Sequence, residues 1–296
     1  NGGRVITSLL ANGPAAQARL RVGDEIVAIG KTSLAKGSMD AALSGQVGKK
    51  VVITYRPITG DGVGDETKTE ITPTDARSIA ELVHRDWISG NVKKVREGGK
   101  GALAYIHLDA MNPANLSRFQ ATIGQLNLSK RIQGLVLDVR ENGGGNIHNQ
   151  LMEILSARPY AQVQPRGAPR KIPQPALYWD KPVVVLINER SFSDAEVFPY
   201  CFQALKRGKI VGVPTPGGVI GTNDIQLSDG STFRIPRVGY YGMDGTNLEG
   251  YGVKPDIIVV ETPEDRVKGR DPQLEKAIEV ALAEIAEAKA AAKAPA

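Results

Sequence analysis

The chain has 296 residues, 41% hydrophobic and 23% charged, an ordinary globular balance with material for one small domain and one of about 200 residues. No apolar run approaches the roughly 18 residues of a membrane span, so no transmembrane segment is expected. The formal charge is +5, yet lysines and arginines are scattered among acids without interleaved aromatics, which argues against nucleic acid, and the single cysteine, Cys201, excludes an internal disulfide framework or a cysteine-built zinc site.

The sequence opens at Asn1-Gly-Gly without a methionine and shows no signal peptide, which leaves cytoplasm and periplasm both open. Residues 4–56 alternate short strand patterns with turn signals and two brief helical patterns, one beginning at Gly13-Pro, where proline suits a first helical turn, and one near Ser38 to Ser44. Thr59-Gly-Asp-Gly-Val-Gly-Asp reads as a long hairpin loop leading to a strand over Thr67 to Thr72. Pro73 to Ala76 is the expected domain boundary. From Asp75 a long helical pattern runs through Ile79, Leu82, Val83, Trp87, Ile88 and Val92 to Gly98-Gly99.

Strands and helices then alternate, as in layered α/β folds. Ala102 to Leu108 is predicted as a strand, Asn115 to Asn127 as a helix, and Gln133 to Arg140 as a buried strand ending in Glu141-Asn-Gly-Gly-Gly145 before a helix that reaches about Ser156. Three glycines after a strand allow unusual dihedrals and close backbone approach. They lack the spacing of a dinucleotide fingerprint and a Walker lysine, so a peptide or oxyanion is the better guest. Arg158 to Tyr178, with five prolines and no acid, reads as an extended surface excursion. Lys181 to Asn188 is a strand buried on both faces, and a helix follows Ser193. Ile210 to Gly221 is a strand and glycine-rich loop, Ile225 to Leu227 and Thr232 to Ile235 a hairpin, Asn247 to Asp256 a loop entering a strand over Ile257 to Val260, and Pro272 to about Glu287 an amphipathic helix.

Ser193-Asp-Ala-Glu196 supports two readings. It fits a capping box, with the serine oxygen accepting from the first helical turn. A serine on a sharp strand-to-helix turn can equally present an exposed hydroxyl beside amides that stabilise an oxyanion. Both readings give Ser193 the same position.

Gly13-Pro-Ala-Ala with Leu20-Arg-Val-Gly-Asp-Glu-Ile-Val-Ala-Ile29 resembles a PDZ domain, a module that adds a peptide strand to a sheet edge. Six collinear blocks between about residues 76 and 286 resemble the protease domain of the tricorn branch of the tail-specific, or C-terminal-processing, serine peptidases. They are Tyr105-Ile-His-Leu, Leu137-Asp-Val-Arg-Glu-Asn-Gly-Gly-Gly145, Asn188-Glu-Arg-Ser-Phe-Ser-Asp194, Gly217-Gly-Val-Ile-Gly221, Glu249-Gly-Tyr-Gly-Val-Lys-Pro-Asp256 and Lys268-Gly-Arg-Asp-Pro-Gln-Leu.

The resemblance implies a PDZ-like module over residues 1–73, an α/β protease domain of stacked ββα units over residues 74–287, similar to the ClpP and crotonase folds, and a flexible tail over residues 288–296. It implies Ser193 as nucleophile, the amides of Gly145 and Asp194 as oxyanion donors, Glu249 as the acidic member of the catalytic group, and Gly144, Gly217, Gly218 and Val219 along the substrate. Gly218 stands where the tail-specific branch has its catalytic lysine, which disfavours a serine–lysine pair. The tricorn branch takes its histidine from a region before the PDZ domain, so the general base is expected outside this segment. His84, His107 and His148 are expected to be structural, with His148 the only local candidate beside the oxyanion loop. No metal or other cofactor is expected, the substrate is a peptide or unfolded protein, and the resemblance implies a trimer or hexamer for the full-length protein. The rivals are a non-catalytic peptide-binding scaffold and an acyl-transforming enzyme of the crotonase type, in which Ser193 and Glu249 would be idle.

Overall fold

The computed structural model describes residues 4–60 and 62–292. The chain divides into two compact units, Asn1–Gly90 and Asn91–Ala296.

The first unit is β-rich. It comprises α1 (Pro14–Gln17), β1 (Glu25–Ile29), β2 (Thr32–Ser33), α2 (Met39–Leu43), β3 (Val51–Arg56), the short ribbon β4 (Ile58–Thr59) and β5 (Gly62–Val63), β6 (Thr67–Ile71) and the start of α3 (Ala76–Gly98). An antiparallel sheet of order β2-β1-β3-β6 buries Ile26, Ile29, Val51 and Ile53 with Leu20 and Leu34. Asp61, at the expected hairpin tip, lies outside the described residues. Asp75 accepts from Ser78 N at 2.7 Å and starts α3 where the sequence suggests. The units divide inside this helix, after Gly90, whereas the sequence suggests a boundary at residues 73–74. A helix is one hydrogen-bonded body, so proline and loop composition before it mark where it starts but not where its neighbours change.

The second unit contains β7 (Leu103–His107), α4 (Pro113–Leu128), β8 (Gly134–Asp138), α5 (His148–Ser156), β9 (Ala161–Val163), β10 (Ile172–Gln174), β11 (Val183–Ile187), α6 (Asp194–Ala204), β12 (Lys209–Gly212), β13 (Gly221–Gln226), β14 (Thr232–Val238), β15 (Ile257–Ile258), α7 (Pro263–Val267) and α8 (Pro272–Ala291). β7, β8, β11, β12 and β15 lie side by side in chain order in one parallel sheet. Parallel pairing requires every connection to cross back over the sheet, so all strand C-termini share one edge. The central strands, Gly134–Asp138 and Val183–Ile187, are buried at every residue, which explains why their sequences are apolar runs without alternation. The core adds Phe119, Ile123, Leu151, Leu155, Phe198 and Phe202 from the flanking helices.

The sheet carries a buried polar network at its C-terminal edge. Arg140 Nη2 lies 2.7 Å from Asp138 Oδ2 and 2.9 Å from Asp271 Oδ2, and Tyr105 Oη donates to Asp138 at 2.8 Å. Asp271 also caps α8 by accepting from Leu274 N at 2.9 Å. One guanidinium thus joins the end of β8 to the start of the last helix. That helix continues to Ala291, so residues 288–291 of the expected tail are helical, and residues 293–296 lie outside the described ones. Residues 158–178 form an excursion of turns and bends in which β9, exposed, pairs with β10 as an antiparallel ribbon.

Candidate active site

Two turns leave adjacent strands at the C-terminal edge of the sheet. The first, after β8, is the triple-glycine loop, and the second, after β11, carries Ser193. They are sewn together by short polar side chains and backbone. Phe192 N donates to Asn142 O at 2.9 Å, Asn142 Nδ2 donates to Leu108 O at 2.7 Å, Ser191 Oγ donates to Val139 O at 2.8 Å, and Asn188 Nδ2 donates to Glu141 Oε1 at 2.9 Å. The recurring asparagines and serines of the two sequence blocks are therefore the seams between the turns.

Ser193 is half-buried and has φ 57° and ψ −120°. This is not the extended conformation of an ordinary N-cap. Glu196 N donates to the main-chain carbonyl of Ser193 at 2.8 Å, and Ser193 and Glu196 keep the capping-box relation that the sequence suggests. Glu196 still performs its half of the capping pattern, with Oε1 accepting from Ser193 N at 3.1 Å. The backbone at Ser193 is that of a sharp strand-to-helix turn, and both sequence readings of the residue share it. A non-glycine residue at such dihedrals costs on the order of 1–3 kcal/mol and persists where its surroundings enforce it.

The glycine loop lies against this turn. A Cβ at Gly144 would stand 2.6 Å from Ser193 Cβ and 3.0 Å from Asp194 N, and one at Gly145 would stand 1.8 Å from Met111 O. Their φ values, +98° and +150°, also require glycine. The loop is fixed by Met111 N donating to Gly144 O at 2.9 Å, by Asn146 N donating to Met111 O at 2.8 Å, and by Gly144 N donating to Asn142 Oδ1 at 2.9 Å. Neither Gly145 N nor Asp194 N meets an acceptor among the described residues. Two undirected amides flank the serine turn, one from the loop and one from the first residue of α6, at the positive end of its dipole.

Asp194 contributes its side chain differently. Its carboxylate is buried, accepts from Ile147 N at 2.7 Å and His148 N at 3.1 Å, and pairs with His148 Nδ1. It caps the helix that follows the glycine loop. His148 is thereby held at the site, its ring edge-on to Tyr240 at 6.0 Å between centroids. Burial, helped by the Asp194 carboxylate, raises the Tyr240 hydroxyl and the Cys201 thiol above their ordinary ranges. Cys201 is a half-buried thiol packed on the core. His84 stacks on Trp87 in the first unit, and His107 stands in β7 with Nε2 3.4 Å from Asp109 Oδ1.

A third loop, after β12, completes the arrangement. Four consecutive amides of this loop point at two carboxylates. Gly217 N and Gly218 N donate to Glu196 at 2.6 and 2.8 Å, and Val219 N and Ile220 N donate to Glu249 Oε2 at 2.8 and 3.0 Å. The Phe192 ring covers Gly218 so closely that a Cβ there would stand 2.1 Å from Phe192 Cε2. Sequence reasoning assigned Glu196 only a capping role and passed over Phe192. An acid inside the otherwise apolar run Ala195 to Phe198 was the available signal, since buried carboxylates need several donors.

The family model for peptidase family S41 matches residues 102–259, more than half of the chain. The chain belongs to peptidase family S41. That makes the second unit a serine-type peptidase domain. The chain is 34% identical over 275 residues to tricorn protease homolog 1 of Streptomyces coelicolor, covering 92% of this chain and 25% of that protein. It is 31% identical over 267 residues to the tricorn protease of Thermoplasma volcanium, covering 89% of this chain and 25% of that protein. A crystal structure of the tricorn protease superposes with a TM-score of 0.77 at 28% identity, covering 92% of this chain and 26% of that one. The chain thus spans about a quarter of the length of these relatives. The mixed α/β fold expected from the sequence agrees with this match. No helix among the described residues is long and apolar enough to cross a membrane.

Proposed function

We propose that this S41 domain cleaves peptides through an acyl-enzyme on Ser193. The observation that carries the reading is the strained Ser193 turn flanked by the unpartnered amides of Gly145 and Asp194. Ser193 Oγ attacks the scissile carbonyl carbon while a base removes its proton. The carbonyl oxygen becomes an oxyanion that accepts hydrogen bonds from Gly145 N and Asp194 N. Return of the proton to the departing amine leaves the acyl-enzyme, and water releases the acid by the reverse sequence.

The general base is a histidine contributed by the protein outside these residues. Glu249, with Oε2 fixed by two amides, orders that group through its other oxygen. Gly144, Gly217, Gly218 and Val219 line the peptide's path. The first unit acts as a PDZ-like module, and the whole protein works as a closed homo-oligomer on peptides or unfolded proteins.

The test uses the whole protein that carries this segment. A fluorophosphonate should label it at Ser193 and block peptide hydrolysis, and Ser193→Ala should abolish both. Labelling and turnover that survive Ser193→Ala would overturn the assignment. The 296-residue segment alone should cleave far more slowly than the whole protein. Equal activity would make a local group the base, with His148, paired to Asp194, the first to replace.

A further inference from the structure

The carboxylate of Glu196 is fully buried, and among the described residues its partners are three main-chain amides rather than a cation. Oε1 accepts from Ser193 N at 3.1 Å and from Gly218 N at 2.8 Å, and Oε2 accepts from Gly217 N at 2.6 Å. Charge-assisted bonds of this kind are short and directional, and a buried carboxylate is costly unless they are all made. One side chain therefore fixes the amide of the serine itself and the first two amides of the loop after β12. Neither can move relative to the other without leaving the buried charge short of a donor.

We propose that Glu196 is a positioning residue for the Ser193 reaction. It rests on the reading of Ser193 as nucleophile. Its first effect is on the serine backbone, whose φ of 57° is held from the amide side by Glu196 Oε1. Its second is on the substrate side. Gly217 and Gly218 are held by Glu196, the Phe192 ring rests on Gly218, and Phe192 precedes Ser193, so the contacts close a circuit of backbone and side chain that passes through the Ser193 backbone. Glu249 takes the next two amides of the loop, so the acid assigned to catalysis and the acid assigned to positioning grip one continuous segment.

The requirement for a carboxylate follows from the count of donors. Three N–H groups need acceptors on both oxygens. Glutamine offers one oxygen and turns its amide nitrogen, itself a donor, toward an N–H. Aspartate keeps both oxygens but is one methylene shorter, so it can satisfy the serine side or the loop side better than both together. A capping role alone makes a different prediction, because capping requires only the bond from Ser193 N.

The experiment compares Glu196→Gln, Glu196→Asp and Ser193→Ala in the whole protein. Each is measured for its rate of acylation by a fluorophosphonate, for kcat and KM on one peptide, and for its folded fraction from a thermal melt. Misplacement of reacting groups by about 1 Å costs on the order of 10²-fold in rate. Glu196→Gln is therefore expected to lower acylation and kcat by about ten- to a hundredfold per folded molecule, with KM little changed, as for an interaction felt in the transition state. Glu196→Asp is expected to recover part of that loss. Rates per folded molecule equal to those of the parent in both variants would overturn the proposal, as would losses that track only the unfolded fraction. Ser193→Ala separates the two readings. If it retains labelling, the nucleophile assignment fails whatever Glu196 does, and if it loses labelling while the Glu196 variants acylate normally, only the positioning role fails.

Discussion

Gly145→Ala tests the glycine loop at its tightest point. The new methyl carbon would stand 1.8 Å from Met111 O and 2.4 Å from Met111 C, both backbone atoms that cannot rotate away. Relief requires the loop to withdraw from the segment before α4, at the expense of the Asn146 N to Met111 O bond of 2.8 Å. That bond contributes about 0.5–1.5 kcal/mol, and a φ near +150° adds strain of about 1–3 kcal/mol for alanine. The sum is about 1.5–4.5 kcal/mol, a fall in melting temperature on the order of 10 °C for a domain of this size. Withdrawal also re-aims Gly145 N. If that amide stabilises the oxyanion, kcat per folded molecule should fall by about 10²–10³-fold, the usual cost of one such donor. Thermal melts and steady-state peptide hydrolysis on the whole protein measure both. A variant that melts with the parent would show that the loop yields without breaking its contacts. A variant that melts lower yet turns over normally per folded molecule would refute Gly145 as a donor.

Arg140→Met should destabilise the second unit by about 3–5 kcal/mol at neutral pH, because it leaves the fully buried Asp138 without its cation. In the parent, burial works to raise the Asp138 carboxyl, but the Arg140 charge and hydrogen bonds hold it below the ordinary value of 3.8. A depressed carboxylate stabilises the fold above its unfolded pKa and loses that contribution as pH falls through the folded one. The parent's share from this pair should therefore be intact near neutrality and fade below about pH 4. Melts of parent and variant should converge toward acid, and a gap that stays constant from pH 7 to pH 3 would refute the linkage. In specificity, residues 154–179 hold no acid but include Arg158, Arg166, Arg170 and Lys171. If this stretch lines the pocket, a basic side chain before the scissile bond should be disfavoured by about ten- to a hundredfold against a neutral or acidic one in kcat/KM. Fluorogenic peptides differing only at that position measure it, and a preference for Arg or Lys would show that other residues form the pocket.

The sequence by itself determined the elements and the sharp strand-to-helix turn at Ser193. Apolar runs at Gly134–Asp138 and Val183–Ile187 read as doubly buried strands because parallel strands covered on both faces tolerate no polar alternation. Glycines at 143–145 and a serine between strand and helix marked the turns, because positive φ and exposed hydroxyls need particular residue types. What residue types leave open is long-range partnership. The φ of 57° at Ser193 goes with contacts from a distant turn, through Phe192 N to Asn142 O, as well as from nearby Glu196. The Glu196 bonds to Gly217 and Gly218, the Glu249 bonds to Val219 and Ile220, and the Arg140 bridge to Asp271 join segments from about 20 to over 100 residues apart. Only the parallel sheet, which brings every strand's C-terminal end to one edge, makes those partners neighbours, and a buried carboxylate is then held by whichever donors that edge supplies.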